Sequence, residues 1–232
     1  MNPKSPPLSR RPGTTRKFLI AQALFAFLPA LIPRLAHGAD QVPWNGVYEA
    51  GQLPQNSEPD WRVDIVSGSQ EWDASIVEHD GESVLEQTLG IDRGGWRIAW
   101  QNAGSSSDSM TVEMRARIVS GEGFLLGLEV RNDEIGGVGV RISETAIEMI
   151  AGSTRRKLVA YPIGQDFHVY RLTLDGNVSR LYVDGDSTPV AEIEGTAGLG
   201  SHLQFGDFGP VNGEGTVEYS SVRWTADGAF AP

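Results

Sequence analysis

Cysteine is absent from this 232-residue chain, which excludes disulfide staples, a lipidated N-terminal cysteine, a thiolate nucleophile and any thiolate metal site. Whatever folds must therefore hold by its core. Acidic residues are absent from residues 1–38, which carry six basic ones: Lys4, Arg10, Arg11, Arg16, Lys17 and Arg34. Taking those six from the total of 19 Lys and Arg leaves 13 basic residues against 30 acidic ones beyond the leader, a formal charge of −17. A surface so acidic repels phosphate backbones and anionic membranes, which argues against nucleic acid as a partner. Helical periodicity is almost missing, as are HExxH and EF-hand spacings and any glycine-rich turn from strand into helix.

What is present begins with a leader. The basic N-terminus is followed by an apolar stretch from Phe18 to Pro33, and Ala36-His37-Gly38 places small residues at the two positions a signal peptidase inspects. This pattern predicts a secretory signal peptide over residues 1–38, cleaved after Gly38 to leave Ala39-Asp40 at the new terminus. A membrane helix fits less well, because the apolar run is short, contains Pro29 and Pro33, and meets Arg34 at once. Arg10-Arg11 is followed by Pro-Gly, unlike the usual twin-arginine export motif. The mature chain is thus expected to be periplasmic or extracellular, with no integral membrane span.

From Trp61 onward, short bursts of period-two alternation recur between turn sequences such as Asp80-Gly81, Arg93-Gly94-Gly95, Asp175-Gly176 and Asp184-Gly185. The bursts include Trp61 to Val66, Trp96 to Gln101, Met110 to Val119, Phe124 to Arg131, Gly137 to Ile142 and Thr216 to Trp224. Strands this numerous without helical crossovers cannot form a parallel sheet, which needs connections of about a dozen residues. An all-β, antiparallel two-sheet sandwich remains. No composition break or internal repeat divides residues 39–232, so one domain is expected, with a polar loop over Tyr48 to Asp60.

The segment FHVYRLTLDGNVSRLYVDG, residues 167–185, predicts a hairpin. His168, Tyr170, Leu172 and Leu174 share one face, Asp175-Gly176 supplies the reversal, and Leu181 and Val183 return to the core. These paired runs, Asp166 to Thr173 and Leu181 to Gly185, resemble those of concanavalin A-like jelly rolls, laminin G-like domains in particular. Phe205-Gly206-Asp207 and Thr216 to Trp224 resemble the closing strands of secreted bacterial members, and Tyr48-Glu49-Ala50 with Leu53-Pro54 resembles their opening segment. Lectins, carbohydrate-binding modules, glycoside hydrolases and polysaccharide lyases share that fold. The resemblance therefore implies a polysaccharide or glycoconjugate partner.

It also implies what catalysis would require. Glucanases of the superfamily carry carboxylates two and four or five residues apart on one strand, a pattern not found here; Glu192 and Glu194 lack a third acidic partner. The lyases use Tyr and His, but His79, His168 and His202 sit outside recognisable lyase motifs. No catalytic residue is assigned, and glycan binding is favoured over a divergent hydrolase or lyase. Calcium is the one cofactor the resemblance suggests, with Asp207 as candidate ligand and Asn132, Asp133 and Asp184 as further oxygens. Asp184 reads more simply as the closure of its turn.

Parity locates a candidate ligand face. In TVEMRARI, Val112, Met114, Ala116 and Ile118 face the core, so Glu113, Arg115 and Arg117 share the opposite side. The next burst turns Leu126, Leu128 and Val130 inward and Glu129 and Arg131 outward, and Arg141 lies outward on the one after it. If these strands neighbour one another, the six charged residues form one strip suited to bidentate contact with glycan carboxylates and hydroxyls. Trp61, Trp72, Trp96 and Trp100 lie on apolar faces, which leaves Trp44 and Trp224 as the freer rings for ligand contact.

Overall fold

The computed structural model describes residues 42–58, 61–65, 74–89, 96–101, 109–132, 136–152, 155–195, 202–206 and 214–232. Among them are fifteen strands and one short 3₁₀ turn, Pro54–Asn56. The strands are β1 Gly46–Glu49, β2 Trp61–Ile65, β3 Ala74–His79, β4 Glu82–Leu89, β5 Trp96–Gln101, β6 Ser109–Gly121, β7 Leu126–Asn132 and β8 Gly136–Ile142. There follow β9 Ala146–Ala151, β10 Arg155–Ala160, β11 His168–Asp175, β12 Val178–Val183, β13 Ala191–Glu194, β14 His202–Gly206 and β15 Gly215–Thr225.

Two antiparallel sheets result. The larger has eight strands in the order β13-β12-β11-β6-β15-β4-β3, with β1 also paired to β15; the smaller has seven, β10-β9-β8-β7-β14-β5-β2. Fully buried side chains line the space between them: Val112, Met114, Ala116 and Ile118 of β6 and Tyr170, Leu172 and Leu174 of β11 from one side, Leu128, Val140, Met149, Leu203 and Phe205 from the other. The alternation in the sequence is thus the alternation of burial, because successive side chains of a strand point to opposite faces.

The hairpin of residues 167–185 folds as its pattern predicts. Residues of β11 and β12 pair from Tyr170 opposite Val183 to Asp175 opposite Val178, and Gly176 takes φ of +56° in the turn. At such an angle glycine carries no Cβ penalty.

Two strands have no period-two burst of their own among those read from the sequence. β1 overlaps the start of the segment Tyr48 to Asp60 read as a loop, and β14 includes the Phe205-Gly206 that resembles a closing strand. Both nevertheless build the core. Tyr48 of β1, Trp61 of β2, Phe205 of β14 and Tyr219 of β15 form a chain of ring contacts across the sandwich, with centroids 5.3–6.1 Å apart. Edge-on and tilted rings at that separation contribute beyond their buried area.

β15 is paired to β6 along its length on one side, but on the other it pairs first with β4 (215–219) and then with β1 (221–224). Bulges at Thr216/Val217 and Tyr219/Ser221 accompany the change of partner. A bulge shifts the strand's parity, so Tyr219 and Val222 are both buried although three positions separate them. None of the described helical segments is long and apolar enough to cross a membrane.

Candidate functional site on the outer face of the larger sheet

The outer face of the larger sheet is built by β6 flanked by β11 and β15. Register places Glu113 between Arg171 and Arg223, and Arg115 between Val169 and Ser221. The Nε and Nη2 of Arg171 lie 2.7 and 2.6 Å from Glu113 Oε2, and those of Arg223 lie 2.8 and 2.6 Å from Oε1. Four charge-assisted contacts saturate this carboxylate, which is 6% exposed. Trp44 extends the cluster, with the guanidinium of Arg223 centred 4.4 Å and that of Arg171 5.9 Å from its ring centroid.

One step along β6, Arg115 and Arg117 converge on a single ring. Their Cζ atoms lie 4.5 and 4.7 Å from the centroid of Phe167, which precedes β11 and stands level with Arg117 because His168 is opposite Ala116. Each arginine also holds an acid. Arg115 pairs with Glu82 of β4, both partly exposed, whereas Arg117 Nε donates at 2.7 Å to Glu218 Oε2 of β15, a side chain with no exposed surface. Glu82 further accepts from the Ser220 hydroxyl. That hydrogen bond, helped by Arg115 and Arg117 and opposed by slight burial, holds the Glu82 carboxyl below its ordinary range.

The switch of β15 from β4 to β1 opens a hollow beside these residues. Its volume is about 670 Å³, and Glu49, Gln52, Glu82, Ser83, Ser220 and Ser221 are among its lining residues. The hollow is polar and open, and Glu82 joins it to Arg115.

The structure divides the predicted strip. Glu113, Arg115 and Arg117 lie together on β6, but β7 and β8, which carry Glu129, Arg131 and Arg141, belong to the other sheet. Their outward side chains therefore point away from those of β6, and the six residues form no continuous patch. The expectation failed at one assumption: the chain crosses from one sheet to the other between β6 and β7, so consecutive strands are not neighbours here. On the smaller sheet Glu129 stands opposite Gly139 and Gln204, and Arg141 lies 3.9 Å from Glu148. The Arg131 side chain lies outside the described residues.

Other expectations resolve separately. Trp224 is 7% exposed and belongs to the core, because the bulge in β15 turns it inward, so it is not a free ring. Trp44 does lie on the charged face. His168 has Nδ1 2.7 Å from Asp184 Oδ2 and Nε2 2.7 Å from the Ile163 carbonyl, and Asp184 also accepts from the Val169 N–H at 2.9 Å. Both ring nitrogens are thus engaged, and Asp184 closes its own turn with φ of +55°. Asp207 and Asp133 lie outside the described residues.

Burial pushes the phenols of Tyr48 and Tyr170 well above their ordinary value, which keeps them neutral and unsuited to act as bases. Among the described residues no strand carries three carboxylates. The residues that parity missed are Phe167, Arg171, Arg223, Glu82 and Glu218. The outward placement of Arg171, Glu82 and Glu218 is legible strand by strand, whereas Arg223 faces outward only because of the bulge in β15, and the grouping around β6 depends on which strands adjoin it.

No family model and no curated protein matches this chain. Solved structures do. A glycoside hydrolase family 16 endo-glucanase from Bacteroides ovatus superposes with TM-score 0.55 at 12% identity, over 78% of this chain and 99% of that one. A β-1,3-glucanase from Mycobacterium marinum gives 0.53 at 15% identity, over 80% and 100%. The binding domain of botulinum neurotoxin serotype G gives 0.54 at 10% identity, over 79% of this chain and 47% of that one, so the chain spans about half the length of that domain. Likeness at such low identity concerns architecture alone, and it shows that this chain has the jelly-roll β-sandwich fold of these structures.

Proposed function

We propose that this protein is an exported glycan-binding module whose ligand face is the outer surface of the eight-stranded sheet around Arg115, Arg117 and Phe167. The observation that carries this reading is the pair of guanidiniums gathered on one aromatic ring beside an open polar hollow. Stacking on Phe167 limits the rotamers of both arginines, so less freedom is lost when they form bidentate contacts with a ligand carboxylate or hydroxyl pair. Trp44, Glu82, Ser220 and Ser221 surround this centre with the mixture of ring and small polar groups that suits a sugar. Glu113 serves as the support beneath it, because its oxygens are already occupied.

Likeness to two glucanases over nearly their whole lengths favours a second reading, a divergent glycoside hydrolase or lyase. The test is incubation with plant, algal and bacterial polysaccharides, with binding read by calorimetry and turnover by reducing-end and unsaturated-uronate assays. Binding without turnover is expected. Sustained turnover that one carboxylate or histidine substitution abolishes would establish the second reading instead. Capture of a polypeptide with no glycan response would overturn both.

A further inference from the structure

A second cluster on the same sheet has a different chemistry. His79 of β3, Glu86 of β4 and Glu218 of β15 each present a ligand atom, and these atoms all lie within 4.8 Å of one another. Glu218 is the anchor. Its side chain has no exposed surface, and its Oε2 is held by Arg117 at 2.7 Å. Its Oε1 is buried and accepts no hydrogen bond, although His79 Nε2 stands 2.9 Å away. A buried carboxylate oxygen with no donor is costly in a folded protein and calls for a partner.

We propose that His79, Glu86 and Glu218 form a binding site for a divalent transition metal, zinc by preference. One imidazole nitrogen and two carboxylate oxygens are a ligand set that zinc accepts. Calcium and magnesium favour all-oxygen shells and a larger number of ligands, so the histidine selects against them. A metal on Oε1 would supply the missing partner, while Arg117 on Oε2 fixes the carboxylate's orientation, as outer-shell groups do in metal sites. The His79 side chain is 45% exposed, which leaves a remaining position open to water or a ligand. The site would also tie the edge strand β3 to β15 across β4. It is independent of the glycan reading.

The test uses the purified protein without a histidine tag, stripped with chelator and titrated calorimetrically with zinc alone. One equivalent should bind, and the melting temperature should rise with zinc concentration, since a ligand of the native state stabilises it by mass action. His79→Ala and Glu86→Gln should each weaken zinc binding at least tenfold while circular dichroism keeps the parent β signal. His202→Ala, on the opposite sheet, should bind zinc like the parent. No zinc binding, binding that survives His79→Ala and Glu86→Gln, or binding lost in His202→Ala would each overturn the site. Glycan binding has no part in this readout, so its failure leaves the first reading untouched.

Discussion

Arg171 and Glu113 meet across β11 and β6 through two N–H groups on one oxygen, at 2.7 and 2.6 Å, and Arg223 repeats the arrangement on the other oxygen. The carboxylate therefore links three strands of the larger sheet. Replacing it leaves two guanidiniums without their common counter-charge in a part of the face that water reaches poorly. Glu113→Ala should lower unfolding stability by about 3 kcal/mol, as breaking a buried pair does, and urea denaturation would measure it. An unchanged midpoint would mean that the cluster contributes nothing to the fold.

Arg115 and Arg117 should separate ligand contact from structure. The Arg115 side chain is 34% exposed and its partner Glu82 44%, so Arg115→Ala should leave the melting temperature nearly unchanged while glycan affinity falls at least tenfold. Arg117→Ala should weaken binding and stability together, because Glu218 is left buried with its charge uncompensated. Glycan arrays and thermal melts on both variants check this. If Arg115→Ala binds like the parent, the ligand lies elsewhere.

The tryptophans offer a parallel contrast. Trp224→Ala should cost about 3–5 kcal/mol as a truncation of a core ring. Trp44→Ala should cost much less stability but reduce glycan binding and its fluorescence response. Gly46→Ala is a third probe, of the packing of β1 on Trp224: a Cβ there would run into the indole of Trp224, and the variant should melt at a lower temperature.

Acid sensitivity follows from Glu82. Its folded pKa lies below the ordinary 4.5, so its contribution is present above that value and is lost as pH falls from there through the lowered one. The contribution is small because the group is exposed. Glu82→Gln should give a shallower loss of melting temperature between pH 5 and pH 3, on the order of the window set by ordinary carboxylates. Equal slopes in parent and variant would contradict the assignment.

Export is tested by the chain itself. We propose that residues 1–38 are removed, so mass spectrometry of protein recovered outside the cytoplasm should begin at Ala39. A retained leader would require a different account of the N-terminus.

Much of this architecture can be read along the chain. Alternation in TVEMRARI and HVYRLTL determines which side chains of β6 and β11 enter the core, because a strand has only two faces and burial selects the apolar one. Turn residues mark the strand ends, Gly176 among them, because few residues accept its backbone angle. The all-β class and the outward direction of Glu113, Arg115 and Arg117 are properties of single strands. β1 and β14 are not among the bursts read from the sequence; each is held by its pairing, β1 to β15 and β14 to β5 and β7.

Lateral order is a different kind of information. Whether β6 lies beside β7 or beside β11 and β15 depends on long-range hydrogen bonding and on where the chain crosses between sheets, and local pattern carries neither. That choice separated Glu129, Arg131 and Arg141 from Arg115 and Arg117, and it brought Phe167, Arg171, Arg223 and Glu218 around β6. The bulge at Tyr219/Ser221 then turned Trp224 inward against simple parity. The sequence by itself determined which face of β6, β11 and the other regular strands is buried, since the hydrophobic effect acts residue by residue; only the tertiary structure decided where a bulge reverses that face and which charged faces meet, since those follow from strand pairing and order.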